Sequence, residues 1–105
     1  MGFFDLFRQP DINQGVEEYR AAPKAILLDV RTPGEYGGGH VPGSRNVPLQ
    51  QIEKIKSIAE NKEVPLFVYC QSGARSRQAV SLLQRMGYVN VNDIGGMSAY
   101  RGKVE

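Results

Sequence analysis

The only cysteine of the chain, Cys70, stands between an apolar run and a short polar loop. The apolar run, 64–69, predicts a buried strand, and residues 75–86 predict a helix that ends at Gly87. Ligands and reactions collect at such strand-to-helix loops in open α/β sheets. We therefore predict a functional site at Cys70. The residues of its loop are Gln71, Ser72, Gly73, Ala74, Arg75 and Ser76.

This loop has the residue types that hold an anion. A tight turn into a helix points backbone N–H groups inward, and the helix dipole adds partial positive charge. Gly73 permits a positive φ, Arg75 offers a guanidinium, and Ser72 and Ser76 offer hydroxyl donors. Such a cradle lowers a thiol pKa, and the thiolate is the nucleophilic form of cysteine. The alternative is an inert, buried core thiol.

One cysteine allows neither a disulfide nor a zinc cluster within the chain, and we predict no metal or cofactor. At 105 residues with a net charge of +2, the chain is one domain with no basic tract for nucleic acid. Residues 1–11 form an apolar extension that is too short to span a membrane, and 12–105 form the domain. Phe3, Phe4, Leu6 and Phe7 either pack on that domain, which we favour, or form an exposed flap that binds a partner or touches a membrane. The unpaired cysteine favours a cytoplasmic location.

Strands and helices alternate along the rest of the chain. Strands are predicted at 25–30, 64–69 and 88–94, with a short one before Pro48, and 10–13 is predicted as a short strand or an extended entry. Helices are predicted at 14–21 after an Asn13 cap, at 32–36 with Thr32 as cap, and at 49–59, 75–86 and 97–101. This order predicts an α/β sandwich around a largely parallel sheet.

Three other polar residues are candidates for roles near the loop. Asp29 and Arg31 follow a predicted buried strand, where they form either a structural ion pair or part of the Cys70 crevice. His40, the only histidine, is either a general base for Cys70 or a structural hydrogen-bonding residue. The sequence favours the structural interpretation for Arg31 and His40, and leaves Asp29 open.

Several blocks in order resemble a rhodanese-like, single-domain thiosulfate sulfurtransferase. They are 29–31, 35–36, 39–43, 46–48, 70–76 and 95–97. The resemblance runs from about Ile12 to the C-terminus. It departs at Tyr100, where the family usually has tryptophan, and we expect this to alter core packing only.

The resemblance implies a three-layer α/β sandwich with a central, mostly parallel sheet flanked by helices. It implies that Cys70 takes a sulfane sulfur from thiosulfate or a persulfide donor and passes it to cyanide or a thiol. Residues 71–76 would stabilise the persulfide, with Arg75 at the rim, and 29–46 would be scaffold. Partners would be the small donor and acceptor, or a thioredoxin-like or persulfide-donor protein.

Two alternatives of other classes stay open. The chain could be a non-catalytic binding module or a sulfur relay loaded by a protein. The fold also resembles that of cysteine phosphatases and arsenate reductases, but phosphatases place five residues between cysteine and arginine, whereas four separate Cys70 from Arg75. The shorter loop makes a smaller cradle, which suits sulfur better than phosphate.

Overall fold

The computed structural model describes residues 9–105, so the predictions for residues 1–8 lie outside the described residues. The strands are β1 (Ile26–Asp29), β2 (Arg45–Asn46), β3 (Leu66–Cys70) and β4 (Val91–Gly96). The α-helices are α1 (Ile12–Ala21), α2 (Pro33–Gly37), α3 (Ile55–Ile58) and α4 (Ala74–Arg85). Two 3₁₀ helices cover Leu49–Lys54 and Met97–Ala99.

The sheet has the order β2-β1-β3-β4, and every pair of neighbours is parallel. All four carboxyl ends therefore lie at one edge of the sheet. In the register, Asp29 pairs with Tyr69, and Cys70 pairs with Gly96. The predicted parallel α/β architecture is confirmed. The candidate functional residues Asp29 and Cys70 both lie at that edge.

Alternate residues of β3 face opposite layers, which explains why its whole length is buried. Leu66, Val68 and Cys70 pack toward α4, α3 and the first 3₁₀ helix. Phe67 and Tyr69 pack toward α1 on the other face. Tyr100 also packs against that second cluster. No helix in the described part of the chain has the length and apolar character needed to cross a membrane.

Helix α1 begins earlier than predicted. Asp11, not Asn13, is its cap, and the Asp11 side chain accepts a hydrogen bond from the Asn13 N–H. Residues 10–13 form no strand, and Pro10 and Asp11 lead directly into the helix. Asn13 instead donates to the Ala99 carbonyl and accepts from the Arg101 N–H, tying α1 to the C-terminal segment.

The single helix predicted at 49–59 is also wrong. A 3₁₀ helix with a non-helical Gln51 leads into the one-turn α3. The apolar residues Leu49, Ile52, Ile55 and Ile58 recur every third position, which fits the three-residue turn of a 3₁₀ helix better than the 3.6-residue turn of an α-helix. The helix predicted at 97–101 is likewise only a 3₁₀ turn.

The last strand lies further along the chain than predicted. Tyr88 belongs to the end of α4: its N–H binds the Leu83 carbonyl, and the N–H of Gly87, at φ 101°, binds Gln84. This Schellman arrangement confirms Gly87 as the helix stop but removes 88–90 from β4. Gly95 and Gly96 end the strand beside the Cys70 loop.

Candidate active site

Cys70 is the last residue of β3, and its side chain has no exposed surface. Its Sγ accepts a hydrogen bond from the Gly73 N–H at 3.0 Å. Gly73 caps α4 at φ 101°, the left-handed conformation predicted for it. The loop therefore turns the Gly73 N–H toward the sulfur.

Burial of the Cys70 thiol is the largest single influence on its pKa, and burial raises this pKa. The Ser76 side chain and the N–H groups of Ser76, Gly73 and Ser72 favour negative charge on the sulfur and act in the opposite direction. Together they outweigh burial, so the pKa of the Cys70 thiol is lowered. The loop thus favours the thiolate, as the sequence predicts.

Ser76 is fully buried, and its main partner was not evident from the sequence. Its Oγ lies 2.9 Å from Oδ1 of Asp93 and 3.0 Å from the Gly73 carbonyl oxygen. The same Asp93 oxygen accepts the Gly95 N–H at 3.0 Å. Asp93 thus joins the end of β4 to the start of α4. Sequence reasoning missed it because it lies 17 residues from Ser76.

Arg75 forms an ion pair with Glu35 of α2. Its two terminal nitrogens lie 2.7 and 2.9 Å from the two carboxylate oxygens. Thr32, the predicted cap of α2, also donates its N–H to Glu35, in a capping box. These bonds, with that from Arg75 the strongest, lower the Glu35 pKa to about 2, and the same pairing raises the Arg75 pKa. The guanidinium at the rim of the loop is therefore already neutralised.

Asp29 and Arg31 form a buried pair beneath the loop, with Nη2 2.7 Å from Oδ2. Arg31 also donates to the side chain of Gln71 at 3.2 Å and to the Gly39 carbonyl at 2.7 Å. Burial opposes the Arg31 charge, but Asp29 outweighs it, and the Arg31 pKa is raised. Arg31 thus contacts the loop through Gln71 while serving as scaffold.

His40 lies against α2. Its ring stacks on Tyr36 with centroids 3.7 Å apart, and its Nδ1 lies 2.9 Å from the Tyr36 carbonyl oxygen. Its Nε2 faces the Glu105 carboxylate at 3.9 Å. These contacts of His40 within residues 9–105 are structural, in line with the favoured interpretation.

A groove of about 380 Å³ opens beside the loop, between Ser72 and Gly73 on one wall and Asp93 and Gly96 on the other. Arg77 lines it as well. Ala74 is exposed at the start of α4. Residues 9–105 contain no group of three His, Cys, Asp or Glu side chains that could hold a metal ion.

The fold and this loop define an α/β protein with a cysteine at the edge of a parallel sheet. More particularly, the chain belongs to the rhodanese-like domain family, whose model matches residues 13–103. It is 38% identical over 91 residues to the uncharacterized protein YqhL of Bacillus subtilis, covering 85% of this chain and 71% of that protein. It is 39% identical over 71 residues to the thiosulfate sulfurtransferase PspE of Escherichia coli, covering 67% and 68%.

Solved structures agree with this assignment. A structure described as rhodanese with anions from E. coli superposes with a TM-score of 0.73 at 34% identity, over 77% of this chain and 96% of that chain. The human single-domain sulfurtransferase TSTD1 superposes with a TM-score of 0.70 at 27% identity, over 90% and 94%. The family resemblance inferred from the sequence is confirmed.

Proposed function

We propose that the protein is a sulfurtransferase that carries a sulfane sulfur on Cys70. The observation that carries this proposal is the Gly73 N–H bond to Sγ at 3.0 Å, within a loop that lowers the thiol pKa. The relative PspE is named a thiosulfate sulfurtransferase, and the E. coli rhodanese structure contains anions. Both support a small anionic sulfur donor.

In the first step, the Cys70 thiolate attacks the outer sulfur of thiosulfate. The S–S bond of the donor breaks, and sulfite leaves with the electron pair. The N–H groups of Ser72, Gly73 and Ser76, which favour the negative charge on Sγ, would also stabilise the charged persulfide. In the second step, cyanide or a thiolate attacks the outer sulfur, and the electron pair of the broken S–S bond returns to Cys70.

A persulfidated protein is the second candidate for the donor. Cys70 has no exposed surface, so a loop movement on docking would help a donor reach it. A thioredoxin-like protein is a candidate acceptor. Because the thiol must remain reduced between turnovers, we propose that the protein works in a reducing compartment such as the cytoplasm.

Intact mass after incubation with thiosulfate tests the proposal. We expect the wild-type chain to gain one sulfur, which cyanide removes, and Cys70→Ser to gain none while its circular dichroism stays unchanged. Sulfur on the Cys70→Ser variant would exclude Cys70 as the carrier. If thiosulfate adds no sulfur but a persulfidated protein does, the chain is a protein-fed relay. If neither loads Cys70, the sulfurtransferase proposal fails.

A further inference from the structure

The groove beside the Cys70 loop reaches two neighbours of Cys70. Gly73 donates its N–H to Sγ, and Gly96 is the register partner of Cys70 on β4. Both residues line the groove. A reactant lying in it would therefore approach the loop from the β4 side, away from the α2 residue Glu35.

The three arginines around the loop differ in how their charge is used. Arg31 is paired with Asp29, and Arg75 is paired with Glu35, each at 2.7 Å. Arg77 makes no ion pair or side-chain hydrogen bond among residues 9–105, and it is exposed at the groove. Of these three guanidiniums, Arg77 is the one that the described residues leave available to a ligand.

The size of the groove indicates the kind of ligand. About 380 Å³ falls at the lower end of the range for small-molecule sites, about 300–1,000 Å³, and exceeds the need of a small inorganic anion. The carboxylate of Asp93 also lines the groove and would repel a bare dianion. A small organic molecule whose negative charge is confined to one end, against Arg77, fits both features. Arginine binds carboxylates through a two-pronged contact.

We propose that this groove is the acceptor site and that Arg77 binds the carboxylate of a low-molecular-weight thiol. This rests on the proposed function of Cys70. The acceptor thiol loses its proton to solvent, and its thiolate attacks the outer sulfur of the Cys70 persulfide. The Cys70 S–S bond breaks, the electron pair returns to Sγ, and the acceptor leaves as a persulfide. Arg77 orients the acceptor, whereas the loop N–H groups hold the sulfur.

The first experiment needs no sulfur transfer. Cys70 of the full chain is alkylated with iodoacetate and with iodoacetamide, two reagents that differ in having a carboxylate or a neutral amide. We expect Arg77→Gln to lower the ratio of the iodoacetate to the iodoacetamide rate about tenfold, the usual size of one charge-assisted contact. Arg77→Lys should restore part of it. Arg85→Gln, at the far end of α4, is the matched control and should leave the ratio unchanged.

The second experiment separates acceptor from donor. The protein is first persulfidated and separated from the donor. The sulfur is then removed with one of three acceptors: 3-mercaptopropionate, its neutral amide, or cyanide. The rates for the two thiols are corrected for the fraction of each that is present as thiolate. We expect Arg77→Gln to slow discharge by the carboxylate thiol more than discharge by the amide or by cyanide, and more than loading by thiosulfate. Equal slowing of all three acceptors, or slowing of thiosulfate loading alone, would overturn the acceptor site.

The two proposals fail in different ways. An unchanged iodoacetate-to-iodoacetamide ratio in Arg77→Gln would overturn the role of Arg77 even if Cys70 accepts sulfur. Absence of sulfur loading from both thiosulfate and a persulfidated protein would overturn the sulfurtransferase and, with it, the acceptor role, even if the alkylation ratio changes.

Discussion

The two sides of the Cys70 loop use charge in opposite ways. On the β1 and α2 side, two arginines are each bound to a carboxylate: Arg31 to the buried Asp29, and Arg75 to Glu35. On the β4 side, Arg77 and Asp93 line a groove, and Arg77 has no ion pair among the described residues. One side is closed by ion pairs, and the other is open to a ligand.

This difference indicates which groups shape the loop and which meet reactants. A charged side chain that is already paired and partly buried fixes the positions of its neighbours rather than binding a ligand, because a ligand would have to displace its partner. Arg31 illustrates this role: it holds Gln71, the first residue after Cys70. The negative charge on sulfur then depends on the loop N–H groups and on Ser76, while recognition of a reactant falls to the open side.

The largest effect is expected from Asp29→Asn on the closed side. The asparagine side chain would keep the shape but leave the Arg31 guanidinium, 4% exposed, without a countercharge. We expect a loss of about 3 kcal/mol in the free energy of unfolding, measured with urea, because removing one partner of a buried pair leaves an uncompensated charge.

The control replaces both partners with apolar residues, Asp29→Leu with Arg31→Met. It should be less destabilising than Asp29→Asn, because it leaves no buried charge behind. If the two variants lose equal stability, packing of Asp29 and Arg31, rather than their charges, explains what the pair contributes to stability.

Gly96→Ala tests the contact between the open side and the loop. A Cβ at Gly96 would lie 2.5 Å from the Gln71 carbonyl oxygen and 2.9 Å from Cα of Ser72, so the loop would have to shift. We expect sulfur transfer to slow about tenfold or more, since small misplacements of reacting groups are costly. The measurement is the rate of thiocyanate formation from thiosulfate and cyanide.

Gly37→Ala is the matched control, because a Cβ there meets nothing within 4 Å. It should leave the rate of thiocyanate formation unchanged. A Gly96→Ala variant as fast as wild type would show that the groove wall can move without disturbing the sulfur.

Local patterns predicted much of the Cys70 loop. The buried strand, the glycine at positive φ and the helix after it all follow from residues 64–87. The Thr32 and Glu35 capping box is equally local. Each is set by neighbours in the chain, so sequence spacing is sufficient to find it.

The partners across the fold were not predictable in this way. The Arg75 and Glu35 pair joins residues 40 apart in sequence, and the Ser76 and Asp93 pair joins residues 17 apart. These pairs form only once the strand order brings β1, β3 and β4 together. The groove depends on the same order, because its walls come from α4, β4 and the segment before α1.

The smallest effect is expected from Glu35→Gln, which releases Arg75 from its partner. Each side chain of the pair is about one third exposed (33% for Arg75, 32% for Glu35), so its loss should cost less than about 1 kcal/mol of stability. The Glu35 pKa is lowered from its ordinary value of 4.5 to about 2. The ion pair therefore stabilises the fold fully above about pH 4.5, and this stabilisation is lost as the pH falls toward 2. Urea unfolding of wild type and Glu35→Gln should therefore differ most at neutral pH and converge in acid.

The same variant tests whether pairing with Glu35 prevents Arg75 from attracting reactants. With Glu35 replaced by a neutral side chain, Arg75 can attract thiosulfate, and we expect the KM for thiosulfate to fall about two- to threefold, an effect that salt should screen. Arg75→Ala should raise that KM if the paired guanidinium still contributes attraction. If both variants keep the wild-type KM, the loop N–H groups hold the donor without Arg75, and the ion pair serves only to fix α2 against α4.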